Sequence, residues 1–127
     1  MTEEMPQRLK FSRASRIQRA GDFARLRQSG ERLVLGCLIA NWKRLPTAAR
    51  SRLGVITSAK IGVAVVRTRA RRLLREAYRR HQHELAAPID LVLVARPSIA
   101  RKGLASVEKD FLTTLGKARL LVRPQGV

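Results

Sequence analysis

The stretch VVRTRARRLLREAYRR, Val65 to Arg80, constrains this chain more than any other. Ala70, Leu73, Leu74, Ala77, Tyr78, His81 and Leu85 recur at i, i+3, i+4, i+7, i+8, i+11 and i+15. That spacing draws one apolar stripe along a helix, and the stripe needs a second layer to cover it. At about 100° per residue, Arg69, Arg71, Arg72, Arg75, Arg79 and Arg80 fall in the half-circle opposite the stripe. Seven arginines stand in the last fourteen residues, against the single carboxylate of Glu76. Arg71 with Arg75 and Arg75 with Arg79 are like-charge i, i+4 pairs, each destabilising an isolated helix by roughly 0.2–0.5 kcal/mol. Only Arg72 with Glu76 makes a favourable pair of that spacing. A face that is merely solvated mixes its signs. This one does not, so it reads as a surface for a polyanion.

The flanking segments supply the cover. RIQRAGDFARLRQSG places Phe23 and Leu26 on one face and Gly30 at a C-cap position, predicting a helix over about 21–29. RLVLGCLIANW, 32–42, is apolar and rich in branched residues, and reads as one strand despite Gly36. LGVITS, 53–58, reads as the next, with the basic, Pro46-containing segment 43–52 as a hairpin loop between them. IGVAVV, 61–66, fits either a third strand or the approach to the central helix, which Pro88 stops. IDLVLVAR, 89–96, is a continuous apolar run closed by Pro97 and reads as a buried strand. Leu104, Val107, Phe111, Leu115 and Ala118 place a last helix over about 104–118. The expected fold is α/β (α+β), a two-layer sandwich with a small sheet of about four strands packed by helices. A chain of 127 residues holds one such core. Residues 1–15, polar and without periodicity, read as a flexible basic arm, 16–118 as a single domain, and 119–127 as a flexible tail.

The charge identifies the class of partner. With 27 Lys and Arg against 9 Asp and Glu, the formal charge is +18. A charge of that size repels itself, and a neutralising partner is its natural complement. Arginine dominates, and its planar fork suits phosphate better than a lysine point charge. A membrane-lying helix would want bulky apolar anchors, whereas this stripe holds alanines and a histidine. Neither zinc spacing nor a basic region with heptads supports a DNA-docking module. Aromatics are 4% of the chain, which limits base stacking and favours phosphate and shape recognition of structured RNA. The N-terminal segment has no apolar core of a secretory signal, and the expected location is cytoplasmic.

Catalysis by the chain alone is not expected. Glu108 and Asp110 point in different directions on their helix, and Asp90 begins an apolar strand from a polar edge. No acidic cluster stands out to hold a catalytic metal. His81 falls on the apolar stripe and His83 nearly opposite it, so one ion cannot take both. Cys37, among the apolar residues of LGCLIA, reads as a buried thiol.

The segment GVAVVRTRARRLLRE resembles the signature of the bacterial ribonuclease P protein subunit, with Gly62, Ala64, Val65, Arg67, Arg69, Arg71, Arg72, Leu74, Arg75 and Glu76 in the family's positions. RIQRAGDF at 16–23, SAK at 58–60 and DLVLVARP at 90–97 follow in the family's order. The resemblance covers roughly Arg16 to Ala118. It implies a left-handed βαβ crossover through the central helix, against the usual right-handed rule. It implies a noncatalytic RNA-binding subunit of a ribonucleoprotein endoribonuclease that removes the 5′ leader of precursor tRNA. In that reading the catalytic RNA carries the chemistry, with Mg2+ in the RNA–protein complex and no cofactor held firmly by the protein. The catalytic-RNA contacts implied are Arg67, Thr68, Arg69, Arg71, Arg72, Arg75 and Arg79. A cleft between the first helix and the sheet, with Phe23, Arg27 and Lys60, is implied for the single-stranded leader. The partners are the ribonuclease P RNA and precursor tRNA; neither a membrane nor a protein partner is required. Two departures stand out. Thr68 replaces the usual asparagine of the signature, and RLVLGCLIAN offers no aromatic toward the leader, while Arg27 stands where a second helix aromatic is common.

Overall fold

The computed structural model describes residues 16–17 and 20–122. The arm expected over 1–15 and the last five residues of the expected tail lie outside the described residues. In chain order the elements are α1 (Ala20–Ser29), β1 (Glu31–Leu35), β2 (Leu38–Arg44), β3 (Arg52–Ile56), α2 (Ala64–His81), β4 (Ile89–Ala95) and α3 (Leu104–Lys117). Short 3-10 segments precede α2, follow it, and follow β4, at Ala59–Ile61, Gln82–Glu84 and Pro97–Arg101.

The run 32–42 is two strands rather than one. Gly36 takes a positive φ of 57°, which only glycine adopts readily, and Leu35 pairs with Leu38 across the two-residue turn Gly36–Cys37. Apolar content on both sides hid the turn, since Leu33–Leu35 and Leu38–Ile39 continue one hydrophobic run through the bend. The loop 43–52, in turn, joins no hairpin. The sheet order is β1-β2-β4-β3, with β4 antiparallel to β2 and parallel to β3. β4 has the continuous apolar run, is buried along most of its length, and takes the inner position that such a run demands. The two five-residue strands take the edges. The ambiguous segment 61–66 resolves as the approach to α2.

Alternation along the strands makes two faces. Leu38, Ala40, Trp42, Leu53, Leu91 and Leu93 face α2 and α3, meeting Ala70, Leu74, Ala77 and Tyr78 from the former and Val107, Phe111 and Leu115 from the latter. Tyr78 and Phe111 cross edge to face at 6.5 Å, which fastens the two helices together. On the opposite face Val92 packs with Ile17 and Leu26 beneath α1, joined by Phe23, Ile56 and Val94. The expected sandwich is therefore the main body, and α1 adds a partial further layer.

The domain runs past the expected end at 118. Arg119 adopts φ 61° to turn the chain out of α3, Leu120 is buried, and Leu121 bridges Leu85. Ala86 N–H donates to Leu120 O at 2.8 Å and Val122 N–H to Glu84 O at 2.7 Å. These bonds tie residues 119–122 to the end of α2.

Candidate nucleic-acid interface

α2 enters from a tight turn. The Ser58 hydroxyl accepts the Lys60 N–H at 3.3 Å, and Gly62, at φ 144°, leads into the helix. Its first arginines are aimed by backbone and hydroxyl oxygens rather than carboxylates. Arg67 donates to Gly62 O at 3.0 Å and Arg69 to Lys102 O. Arg71 donates to Thr57 Oγ1 at 2.7 Å and to Thr68 Oγ1 at 3.2 Å. Thr68 thus supplies a hydroxyl that steadies a neighbouring guanidinium. A neutral acceptor fixes the fork without cancelling its charge, so these cations remain available to an anion.

The expected Arg72–Glu76 pair is not made. Glu76 instead spends its oxygens C-terminally, on Arg79 at 2.7 Å and Arg80 at 2.8 Å, which hold its carboxyl down at about 2. Side chains on a helix lean toward its N-terminus, so later arginines reach back to an earlier carboxylate. Arg72 is exposed. Arg75 lies where burial, then Arg16 and Arg71, push its guanidinium below its ordinary value. Three like charges drawn from α2 and the strand-like segment before α1 therefore converge, a local field that an anion would relieve.

A second cationic region lies across the sheet. Between α1 and the sheet opens a cleft of about 530 Å³, lined by Ala24, Arg27, Gln28, Arg32, Ile39, Asn41 and Val94. That volume is ordinary for a ligand cleft. On the same face of the sheet Phe23 packs against Gly54 of β3, where an added Cβ would stand 2.4 Å from Phe23 Cε1. The glycine is what lets the ring approach. Asn41 stands between apolar neighbours on the cleft face, paired across strands with Arg32 and Val92. It is 4% exposed; among the described residues the buried side-chain polar atom without a partner is Nε1 of the next residue, Trp42. Burying an N–H donor unpaired, as at Trp42, costs about 1–3 kcal/mol.

Of the three expected cleft residues, Arg27 lines the cavity, while Phe23 packs at Gly54 with the cluster of Ile17, Leu26 and Val92. Lys60 does not line it; it is exposed in the 3-10 segment past the end of β3. Arg16, Arg32, Gln28 and Asn41 were not singled out from sequence. Asn41 had a signal, an amide at an inward position of an otherwise apolar strand; Arg16 and Arg32 had none beyond their charge.

The remaining polar groups serve the fold. His81 packs on Phe111 and lies 2.5 Å from both Glu84 and Glu108. Burial opposes its protonation, but the two carboxylates outweigh that and raise its pKa. Asp110 accepts from Cys37 N–H at 3.0 Å and Lys102 Nζ at 2.9 Å, while burial pushes the Cys37 thiol up to about 12. Asp90 binds Arg52 in a two-pronged pair at 2.9 and 2.7 Å. Glu108 and Asp110 indeed diverge. Among the described residues no group of three His, Cys, Asp or Glu is placed to hold a metal, and no helix is long and apolar enough to cross a membrane.

The fold and these two regions define a small basic α+β protein with a mixed four-stranded sheet, an arginine-faced crossover helix and a cationic cleft behind it. The family model for ribonuclease P matches residues 11–119, and the chain belongs to the family of ribonuclease P protein components, part of a tRNA-processing ribonucleoprotein. It is 33% identical over 113 residues to the ribonuclease P protein component of Syntrophomonas wolfei, covering 89% of this chain and 94% of that one. It is 38% identical over 106 residues to that of Desulfovibrio desulfuricans, covering 81% and 82%. In fold it is similar to the RNase P protein of Staphylococcus aureus, with a TM-score of 0.77, 22% identity, and 85% of this chain and 98% of that one covered.

Proposed function

We propose that this protein is the noncatalytic subunit of a cytoplasmic ribonuclease P, binding the catalytic RNA through α2 and the single-stranded 5′ leader of precursor tRNA in the cleft. The observation that carries the reading is the arginine face of α2, where Arg67 and Arg69 are held by backbone oxygens and Arg71 by threonine hydroxyls, all neutral acceptors. Phosphate oxygens supply the charge that this surface lacks, and the preset forks lose little freedom on contact. On the other side Arg27 and Arg32 stand at a cleft whose floor is apolar, the combination that a single strand with phosphates outside and bases inside requires. The RNA and its Mg2+ perform the hydrolysis; the protein neutralises and positions, and contributes no metal ligand.

The test is to add the purified chain to a bacterial ribonuclease P RNA at low magnesium and follow removal of the 5′ leader. Stimulated cleavage is expected. No stimulation would favour a basic structural protein of another ribonucleoprotein, and cleavage with all RNA removed would make the chain a nuclease in its own right. With about six phosphates contacted, log affinity should fall against log salt with a slope on the order of −4 to −5.

A further inference from the structure

We infer that Thr57, just past the end of β3, is a positioning residue for the α2 surface, its hydroxyl fixing the Arg71 guanidinium in the attitude in which it meets a phosphate. The inference rests on the catalytic-RNA reading above. Arg71 donates from one terminal nitrogen to Thr57 Oγ1 at 2.7 Å and from the other to Thr68 Oγ1 at 3.2 Å. One acceptor stands at a strand end and the other on the helix itself, so the packing of α2 on β3 sets the direction of the fork. Thr57 is half-buried, and it follows directly on Ile56, which is paired with Val94. The sheet therefore fixes where its hydroxyl stands.

Other forks of the face are held differently. Arg67 and Arg69 donate to backbone carbonyls, and Arg79 pairs with the Glu76 carboxylate, which offsets its charge. Arg71 is held by side-chain hydroxyls, which are neutral and leave its charge whole. The hold also leaves it donors: each terminal nitrogen keeps a further N–H, and Nε keeps its own, enough for the paired contact that a phosphate accepts. Arg75 stands nearby, its guanidinium pushed below its ordinary value by burial and then by the charges of Arg16 and Arg71. A loose Arg71 would swing from those charges toward solvent, and the hydroxyls prevent the swing. Freezing so long a side chain only on contact costs rotamer freedom that a preset fork has already surrendered. Thr57 thus acts on the RNA through Arg71 without touching it.

The experiment measures assembly of the full chain with a bacterial ribonuclease P RNA over a range of salt concentrations. Thr57→Val keeps the branched shape and removes the acceptor. It should weaken assembly about three- to ten-fold and leave the salt slope unchanged, since no phosphate contact is deleted. Thr57→Ser restores the hydroxyl and should bind within about twofold of the wild type. Arg71→Ala should weaken assembly and flatten the slope by roughly 0.7–0.9, and in that background Thr57→Val should have no further effect. Wild-type assembly by Thr57→Val, or a loss of equal size with Arg71 present or absent, would overturn the positioning role and leave the α2 reading standing. Wild-type affinity and slope in Arg71→Ala would take Arg71 off the RNA surface, and the role of Thr57 with it.

Discussion

Gly54→Ala should push Phe23 off the sheet. A Cβ at that position would lie 2.4 Å from Phe23 Cε1 and 2.7 Å from Cζ. Carbon atoms in ordinary contact stand about 3.5–4.0 Å apart, so the ring has to retreat by about 1 Å or rotate out. Either movement disturbs the small cluster of Ile17, Leu26 and Val92 on which the ring rests. Overpacking of this kind costs about 1–3 kcal/mol. At roughly 3–6 °C per kcal/mol for a chain of this size, the melting temperature should fall by something on the order of 5–10 °C. Phe23→Ala removes the obstacle, so the penalty of Gly54→Ala should largely vanish in the Phe23→Ala background, a coupling of at least about 1 kcal/mol in a double-mutant cycle. Thermal unfolding followed by circular dichroism measures all four proteins. Gly54→Ala melting with the wild type, or strictly additive effects, would refute the close seating of the ring. The same variant should weaken binding of leader-bearing precursor tRNA more than assembly with the catalytic RNA.

Other perturbations separate the two surfaces and the supports beneath them. Arg67→Ala with Arg69→Ala should weaken assembly with the catalytic RNA while leaving the preference for leader-bearing substrate intact; equal loss of both would refute two separate surfaces. His81 has its pKa raised in the folded protein, with Glu84 and Glu108 against it and His83 3.8 Å from the shared Glu84. Its contribution, about 1–2 kcal/mol given the partial exposure of Glu84, is full below its unfolded value and is lost as pH rises through the folded one. Urea unfolding should therefore show stability falling as pH rises past the ordinary histidine range in the wild type and a flatter profile in His81→Ala. Asp110→Ala strands Cys37 N–H and Lys102 and should cost about 1–3 kcal/mol by the same assay. Glu76→Gln removes the carboxylate that holds Arg79 and Arg80, and should steepen the salt dependence of RNA binding, measured by titration at several ionic strengths.

Local periodicity was enough to read α2, α3 and β4. Their patterns repeat over two turns or more, and a helix or buried strand declares itself through neighbours in sequence. The arginine face was legible for the same reason, because charge at 100° per residue needs no tertiary information. Partnering was less legible. Glu76 turned toward Arg79 and Arg80 rather than Arg72, a choice made by side-chain direction that i, i+4 counting treats as equal. Lys60 was assigned to the cleft by pattern, yet the turn capped by Ser58 carries it past the end of β3.

By itself, then, the sequence determined an α+β domain with one strongly cationic helix face, since both follow from short-range spacing and composition. The tertiary structure decided the sheet order, because β4 is apolar enough to lie between two strands and no local signal says which two. It also decided that Gly36 bends one apolar run into a hairpin, and that Arg16, from a segment far along the chain, joins Arg71 and Arg75. Asn41 shows the division most plainly. In sequence it is a polar residue near the end of a strand. Only the packing of α1 over the sheet makes it a largely buried residue at the wall of a cleft, because a residue's solvation is set by what lies across from it and not by what stands beside it in the chain.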